Sequence, residues 1–118
     1  MAAFKINLSI DQGATFHKGI TWKVGDPTPL PVDLTGCTAR MQVRESIDSE
    51  NIFIELTTEN GRITLGTTDG SVSLDINATD TAALDWKRGV YDLEIIFANG
   101  VVRRLLSGTV VVSPEVTR

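Results

Sequence analysis

Apolar and polar residues alternate in short segments along most of this sequence, and that period of two limits its fold more than any other feature. Successive side chains on a strand point to opposite faces, so a half-buried strand shows this alternation. The pattern predicts strands over residues 4–10, 14–24, 37–43, 52–56, 62–65, 72–76, 91–97 and 101–112. The core is expected to include Leu74, Ile76, Tyr91, Leu93, Ile95 and Val110.

Turn signals separate these strands, and little of the chain suits a helix. Asn60-Gly61, Asp69-Gly70 and Asn99-Gly100 favour tight turns. Residues 79–86 suit one or two helical turns, with Thr79 or Asp80 as the N-cap. Short strands spaced by about 8 to 12 residues are typical of sandwiches. We therefore expect one domain over residues 1–118, an all-β, two-layer antiparallel immunoglobulin-like β-sandwich of about seven strands.

Two positions break the alternation and predict β-bulges. Lys18 lies on the apolar side of its strand, so a bulge is expected near Gly19. If Asn99-Gly100 forms a two-residue turn, Phe97 pairs with Val102, Ile95 with Arg104 and Leu93 with Leu106. Arg104 then faces the core unless a bulge corrects the register, for which Gly108 is one candidate, or unless Arg104 lies at a rim.

The segment from Leu84 to Tyr91 has the layout of a tyrosine corner: a helical turn, Gly89, then Tyr91 at the start of a strand. In such a corner the phenol hydroxyl bonds to backbone a few residues upstream. We predict that partner within residues 83–89 and treat Gly89 and Tyr91 as structural corner residues. An ordinary core tyrosine is the alternative.

Residues 25–31 contain three prolines, which fix φ and lack a backbone donor, so an extended surface loop outside any ladder is expected. The strands near both chain ends carry few of the charges that blunt free sheet edges. We therefore expect a multimeric assembly that uses this loop and at least one terminus. The candidate interface residues are Phe4, Pro27, Pro29, Leu30 and Pro114.

Residues that usually carry catalysis or metal binding are sparse. His17 is the only histidine and Cys37 the only cysteine, which excludes an intrachain disulfide and multi-cysteine zinc sites. The acidic residues follow no calcium-loop spacing, and no glycine-rich phosphate loop occurs. No catalytic residue, metal or cofactor is expected. A hydrolase with paired carboxylates stays an alternative, because sequence does not show distances.

Charge and hydropathy narrow the partners further. Eleven basic against fifteen acidic residues give a net charge of -4, which disfavours nucleic-acid binding. No signal peptide or membrane-spanning run is visible, so synthesis in the cytoplasm without membrane insertion is expected. Trp22 is expected in the core, whereas Trp86 could stack on a sugar, which keeps a carbohydrate-binding module as an alternative.

Four segments together resemble a known family: DQGATF at residues 11–16, PVDLTGCTARM at 31–41, GVYDLE at 89–94 and VSPEVTR at 112–118. They are similar to small β-sandwich proteins of tailed-phage virions, in particular the N-terminal immunoglobulin-like domain of upper baseplate proteins. The resemblance implies a non-enzymatic virion protein that docks onto other virion proteins and onto copies of itself. It also implies that the turn of Asp33 and Gly36 leads into the next strand.

The resemblance leaves the location in the particle open. Tail, baseplate, fibre-attachment region, neck and capsid surface are all compatible with it. An assembly or adaptor module of the tail is the expected role, with a capsid decoration or neck protein of the same fold as the alternative.

Overall fold

The computed structural model describes residues 3–117, which form β-strands joined by turns and one short helix. Met1, Ala2 and Arg118, which the domain prediction includes, lie outside the described residues. In chain order the elements are β1 (Phe4–Lys5), β2 (Leu8–Asp11), β3 (Phe16–Thr21), β4 (Lys23–Val24), β5 (Leu30–Pro31), β6 (Thr38–Arg44), β7 (Ile52–Thr57), β8 (Ile63–Leu65), β9 (Ser71–Ile76), α1 (Ala78–Ala82), β10 (Arg88–Ile96) and β11 (Val102–Ser113). The all-β prediction is confirmed.

The strands form two sheets and a separate hairpin. The larger sheet has the order β1-β11-β10-β6-β7, and β2 also pairs with β11. The smaller sheet has the order β3-β9-β8, and β4 pairs with β5. Both β1 and β2 run parallel to β11, whereas all other pairs among the described residues are antiparallel. The sandwich is therefore antiparallel except where its first strands meet its last.

One apolar cluster fills the space between the sheets, with side chains from the inner faces of both. All six core residues predicted from the alternation are buried: Leu74, Ile76, Tyr91, Leu93, Ile95 and Val110. Alternation predicted them correctly because each strand has one buried face and one solvated face.

The β10–β11 hairpin turns over three residues instead of two. The Gly100 N–H donates to the Phe97 carbonyl at 2.9 Å, and the Phe97 N–H donates to the Val101 carbonyl at 2.8 Å. Gly100 has a φ of 89°, as expected for a type I turn closed by a left-handed residue. The predicted pairing of Phe97 with Val102 is therefore wrong, since Ile96 pairs with Val102. The predicted pairing of Ile95 with Arg104 is wrong too, since Ile95 pairs with Arg103.

A β-bulge then restores the predicted register further from the turn. Leu93 pairs with Leu106 and Glu94 with Arg104, so Leu105 is the extra residue on β11. Leu105 and Leu106 are consequently both buried. Arg104 lies outside the core, with its Nε 3.5 Å from an Asp92 carboxylate oxygen. The bulge lies at Leu105 and not at Gly108.

The bulge predicted near Gly19 is absent. β3 pairs with β9 without a break, from Phe16 opposite Ile76 to Thr21 opposite Ser71. Lys18 therefore does lie on the inner side of β3. It is tolerated because β3 is an edge strand, where a lysine can pack its stem and extend its ammonium to water.

The proline segment and the start of the helix also differ from the predictions. Leu30 pairs with Val24 and Pro31 with Lys23, so the proline segment is partly a hairpin, whereas Pro27 and Pro29 lie outside the ladder. Helix α1 begins after Asn77, whose side chain accepts from the Asp80 N–H at 2.8 Å. Asn77 is the N-cap in place of Thr79 or Asp80, and it too is among the preferred N-cap residues.

Candidate interaction surface

Tyr91 connects the larger sheet to the segment between β1 and β2 by a hydrogen bond. Its hydroxyl donates to the Ile6 carbonyl at 2.6 Å, a partner 85 residues upstream. The predicted partner within residues 83–89 is therefore wrong. The reason lies in the register: Tyr91 pairs with Gly108, and the N-terminal strands flank β11 on its other side. The side chain spans β11 over a residue that has no side chain.

This contact also explains why β1 and β2 are separate strands. In a regular parallel ladder the Ile6 carbonyl would accept from the Thr109 N–H, since the Ile6 N–H already donates to Ser107. Tyr91 occupies that carbonyl instead. The Thr109 N–H donates to the Asn7 side chain at 3.2 Å. The ladder is interrupted at residues 6 and 7, yet its backbone groups keep partners.

Gly89, the other predicted corner residue, is buried and has no room for a side chain. A Cβ there would lie 2.8 Å from both the Arg44 carbonyl oxygen and a Val43 methyl. Gly89 therefore serves close packing of β10 against β6.

Burial raises the pKa of Tyr91 from 10.0 to about 12. Because burial disfavours the ionised phenolate in the folded state, the free energy of unfolding is independent of Tyr91 ionisation below pH 10 and falls as the pH rises towards 12. We expect about 2 kcal/mol of stability to disappear over that range. Tyr91 is the only tyrosine, so tyrosinate absorbance reports it alone.

The measurement is urea unfolding as a function of pH, beside the absorbance titration. Tyr91→Phe is the matched control, and its stability should fall less between pH 10 and pH 12. A parallel decline in both proteins would contradict the prediction.

Asp33 and Gly36 form the turn that the resemblance implied. The Thr35 N–H donates to Asp33 Oδ1 at 2.9 Å, and hydrogen bonding from the Thr35 hydroxyl and N–H lowers the Asp33 pKa. The Cys37 N–H donates to the Leu34 carbonyl at 3.0 Å, and Gly36 has a φ of 77°. The turn leads directly into β6, while buried Leu34 anchors it to the core.

The structure does not gather the five predicted interface residues on one surface. All are exposed, Phe4 by 51% and Leu30 by 63%. Phe4 lines a groove beside β1, whereas Pro114 borders a smaller cavity beside Trp86. Pro27, Pro29 and Leu30 belong to the hairpin segment.

The groove lies between β1, at one edge of the larger sheet, and β3, at one edge of the smaller sheet. Its volume is about 370 Å³. Its lining is mostly apolar and contains no carboxylate: Phe4, Lys5, Ile6, Ile20, Thr21, Trp22, Leu105 and Leu106. Sequence patterning could not locate the groove, because it forms only where the edges of two sheets face each other.

The last residues of the β7 edge, on the far side of the larger sheet, are covered by side chains. Asn60 and Arg62 both donate to the Glu55 carbonyl, at 3.0 Å and 2.9 Å. The Thr57 N–H donates to the Asn60 side chain at 3.0 Å. These contacts oppose the addition of another strand at Glu55 and Thr57.

One polar cluster escaped the sequence reasoning. His17 Nδ1 lies 2.6 Å from an Asp75 carboxylate oxygen, and the Ser73 hydroxyl donates to the other oxygen at 2.8 Å. Hydrogen bonding, chiefly from His17, lowers the Asp75 pKa. The order differs from a catalytic triad, because serine and histidine both bind the carboxylate and the hydroxyl does not lie on the free histidine nitrogen. Cross-strand pairing explains the cluster, since His17 is opposite Asp75.

Trp86 has one face covered. Its ring stacks on Phe53 with centroids 4.8 Å apart and an interplanar angle of 11°. A sugar platform needs an open aromatic face, and this contact occupies one of the two. Trp22 is 5% exposed and packs against Phe97, as expected for a core residue.

No family model matches the chain, and no curated protein matches it. Within residues 3–117, no three His, Cys, Asp or Glu side chains are grouped as a metal site would require. The helical part of the described chain includes no segment of the length and apolarity needed to cross a bilayer.

Proposed function

We propose that this chain is a non-enzymatic assembly or adaptor module of a tailed-phage virion. The observation that carries the proposal is the apolar groove between the free edges of β1 and β3, beside which Phe4 is half-exposed. Apolar surface at an unpaired sheet edge is typical of protein–protein contact. The resemblance of residues 10–113 to baseplate sandwich domains supports the assignment to a virion.

Further support comes from the pairing of polar side chains with one another on the sheet faces. The one histidine is bound to Asp75, and the acidic residues on the outer face of the larger sheet pair with cations or amides. Arg40 Nε lies 2.9 Å from Glu94, and the Gln42 amide donates to Glu55 at 2.8 Å. Such pairs solubilise a sheet face, and they occupy the charged groups of the cavity of about 270 Å³ that Arg40, Gln42 and Glu94 line there.

The test is incorporation into particles. A tagged chain should co-purify with virions of the phage that encodes it, and Phe4→Ala should lower the incorporated amount at least several-fold. Val116→Ala is the matched control, since Val116 is an apolar residue near the other end that is 92% exposed. Absence of the unmodified chain from purified particles would overturn the proposal.

A further inference from the structure

We infer that the free edge of β3 accepts an extended, net-acidic strand from a partner protein, which adds to the smaller sheet and covers the groove. The inference rests on the proposed function and names the surface and the chemistry of the segment it takes. Three features carry it: free backbone groups, an apolar groove beside them, and unpaired lysines around both.

The backbone groups at the β3 edge follow from the register. The Trp22 N–H donates to the Gly70 carbonyl at 2.8 Å, across the gap to the β9 side. Alternation then directs the backbone of Ile20 and Lys18 towards β9, and that of Gly19 and Thr21 away from it. β9 agrees, because the Asp75 N–H and the Ser71 carbonyl bond on its β8 side. A ladder is therefore open along β3.

The groove receives the side chains that such a strand would direct inwards. Alternate residues of an added strand point to the same face as Ile20, which lines the groove with Trp22 and Leu106. The other residues point to the outer face, beside Thr21. Strand addition of this kind combines main-chain hydrogen bonds with pockets for alternate side chains. The incoming segment should accordingly be apolar at alternate positions.

The charge of the surroundings defines the rest of the segment. Lys5 lines the groove, Lys18 lies on the inner side of β3 and Lys23 follows Trp22. Among residues 3–117, none of these three lysines forms an ion pair. Covering Lys18 with an apolar strand would bury an unpaired ammonium, which is costly. A carboxylate on the incoming strand removes that cost and favours an acidic segment.

The same lysine disfavours a second copy as the occupant. Antiparallel pairing of two β3 strands about Gly19 would bring two Lys18 ammonium groups to the same face beside the groove, whose lining contains no carboxylate. Like charges so placed oppose pairing. Lys18 therefore protects the edge against self-association while it selects an acidic partner strand.

The experiment uses synthetic peptides of strand length as probes. The first alternates valine and threonine and has glutamate at both ends. The second has lysine in place of glutamate, and the third is the first with two successive N-methylated residues, one of which must face β3. Only the first should bind, and binding should slow hydrogen exchange at the amides of Gly19 and Thr21.

Two variants test the charge and the ladder separately. Lys18→Glu should weaken the acidic peptide by about tenfold or more and strengthen the lysine peptide. Lys87→Glu, which makes the same charge change beside a different cavity, is its control. Gly19→Pro should abolish binding with the fold intact, because the Gly19 N–H is not used by β9. Circular dichroism checks the fold of each variant.

The inference is overturned if no peptide binds up to about millimolar concentration, or if binding leaves the Gly19 and Thr21 amides unprotected or ignores the charge of residue 18. Incorporation of the variants into virions distinguishes a failure of the strand addition from a failure of the proposed function. Full incorporation of Gly19→Pro, beside loss of Phe4→Ala, would overturn the strand addition and leave the assembly role standing. Absence of the unmodified chain from particles would overturn the assembly role.

Discussion

Tyr91→Ala should lower the free energy of unfolding by about 3 to 5 kcal/mol, as for other large buried side chains cut back to alanine. The aromatic ring is 5% exposed and fills the inner face of β10. Its loss leaves a cavity and also removes the hydroxyl that holds Ile6. Urea unfolding measures the effect, and amide exchange should show the N-terminal strands opening first.

Tyr91→Phe separates the hydroxyl from the ring. We expect a loss of about 1 kcal/mol, because the ring stays and only a hydrogen bond is removed. The loss of stability stays small because the Ile6 carbonyl has another donor within reach. In a regular ladder that donor is the Thr109 N–H, which in the wild-type protein donates to Asn7. Equal stability of the phenylalanine and wild-type proteins would show that the hydroxyl bond contributes nothing.

The period of two was enough to predict the sandwich, because a strand with one buried face alternates apolar and polar residues in its sequence. Leu74 and Leu93 illustrate this, since each lies between two polar residues and both are fully buried. Register is harder to predict. Whether a turn has two residues or three changes every pairing, and Asn99-Gly100 is compatible with both.

The Tyr91 contact shows a second limit of prediction from sequence, which concerns partners that are distant along the chain. The sequence identifies a tyrosine after a glycine at the start of a strand, and local partners are then the natural expectation. Its actual partner is Ile6, because a parallel strand lies beside β11. Parallel pairing between the first and last strands leaves no local signal, so no reading of residues 83–91 could reveal it. A glycine opposite the tyrosine, Gly108, was the available clue.

The candidate surface was predictable only in part. Phe4 was identified from a strand poor in charge, and it does border the groove. The alternation predicts a bulge beside Lys18, because an inward lysine is unexpected in a strand. On an edge strand the same lysine is accommodated and shapes the choice of partner. Strand order decides between the two interpretations, and sequence alone does not give it.

The second large effect is expected at Gly108. A Cβ at this position would overlap the carbonyl oxygen of Ile6, which is backbone and cannot rotate away. Gly108→Ala must therefore push the N-terminal strands from β11 or distort β11 itself. We expect a loss of about 2 to 3 kcal/mol, in the range of other overpacking substitutions. Urea unfolding and amide exchange at Leu8 and Ile10 measure it.

Gly100→Ala is the matched control for this prediction. Gly100 lies in the β10–β11 turn with a φ of 89° and nothing within 4 Å of an added Cβ. The control therefore carries backbone strain of about 1 to 2 kcal/mol without a clash, and it should leave the exchange of Leu8 and Ile10 near its wild-type rate.

Because the Tyr91 hydroxyl reaches Ile6 across Gly108, displacement of Ile6 should also expose the phenol. Its pKa should then fall from about 12 towards 10.0 in Gly108→Ala. A Gly108→Ala protein with the wild-type Tyr91 titration and full stability would show that β11 accommodates the methyl group. The close approach of Gly108 to the Ile6 carbonyl would then not be required for stability.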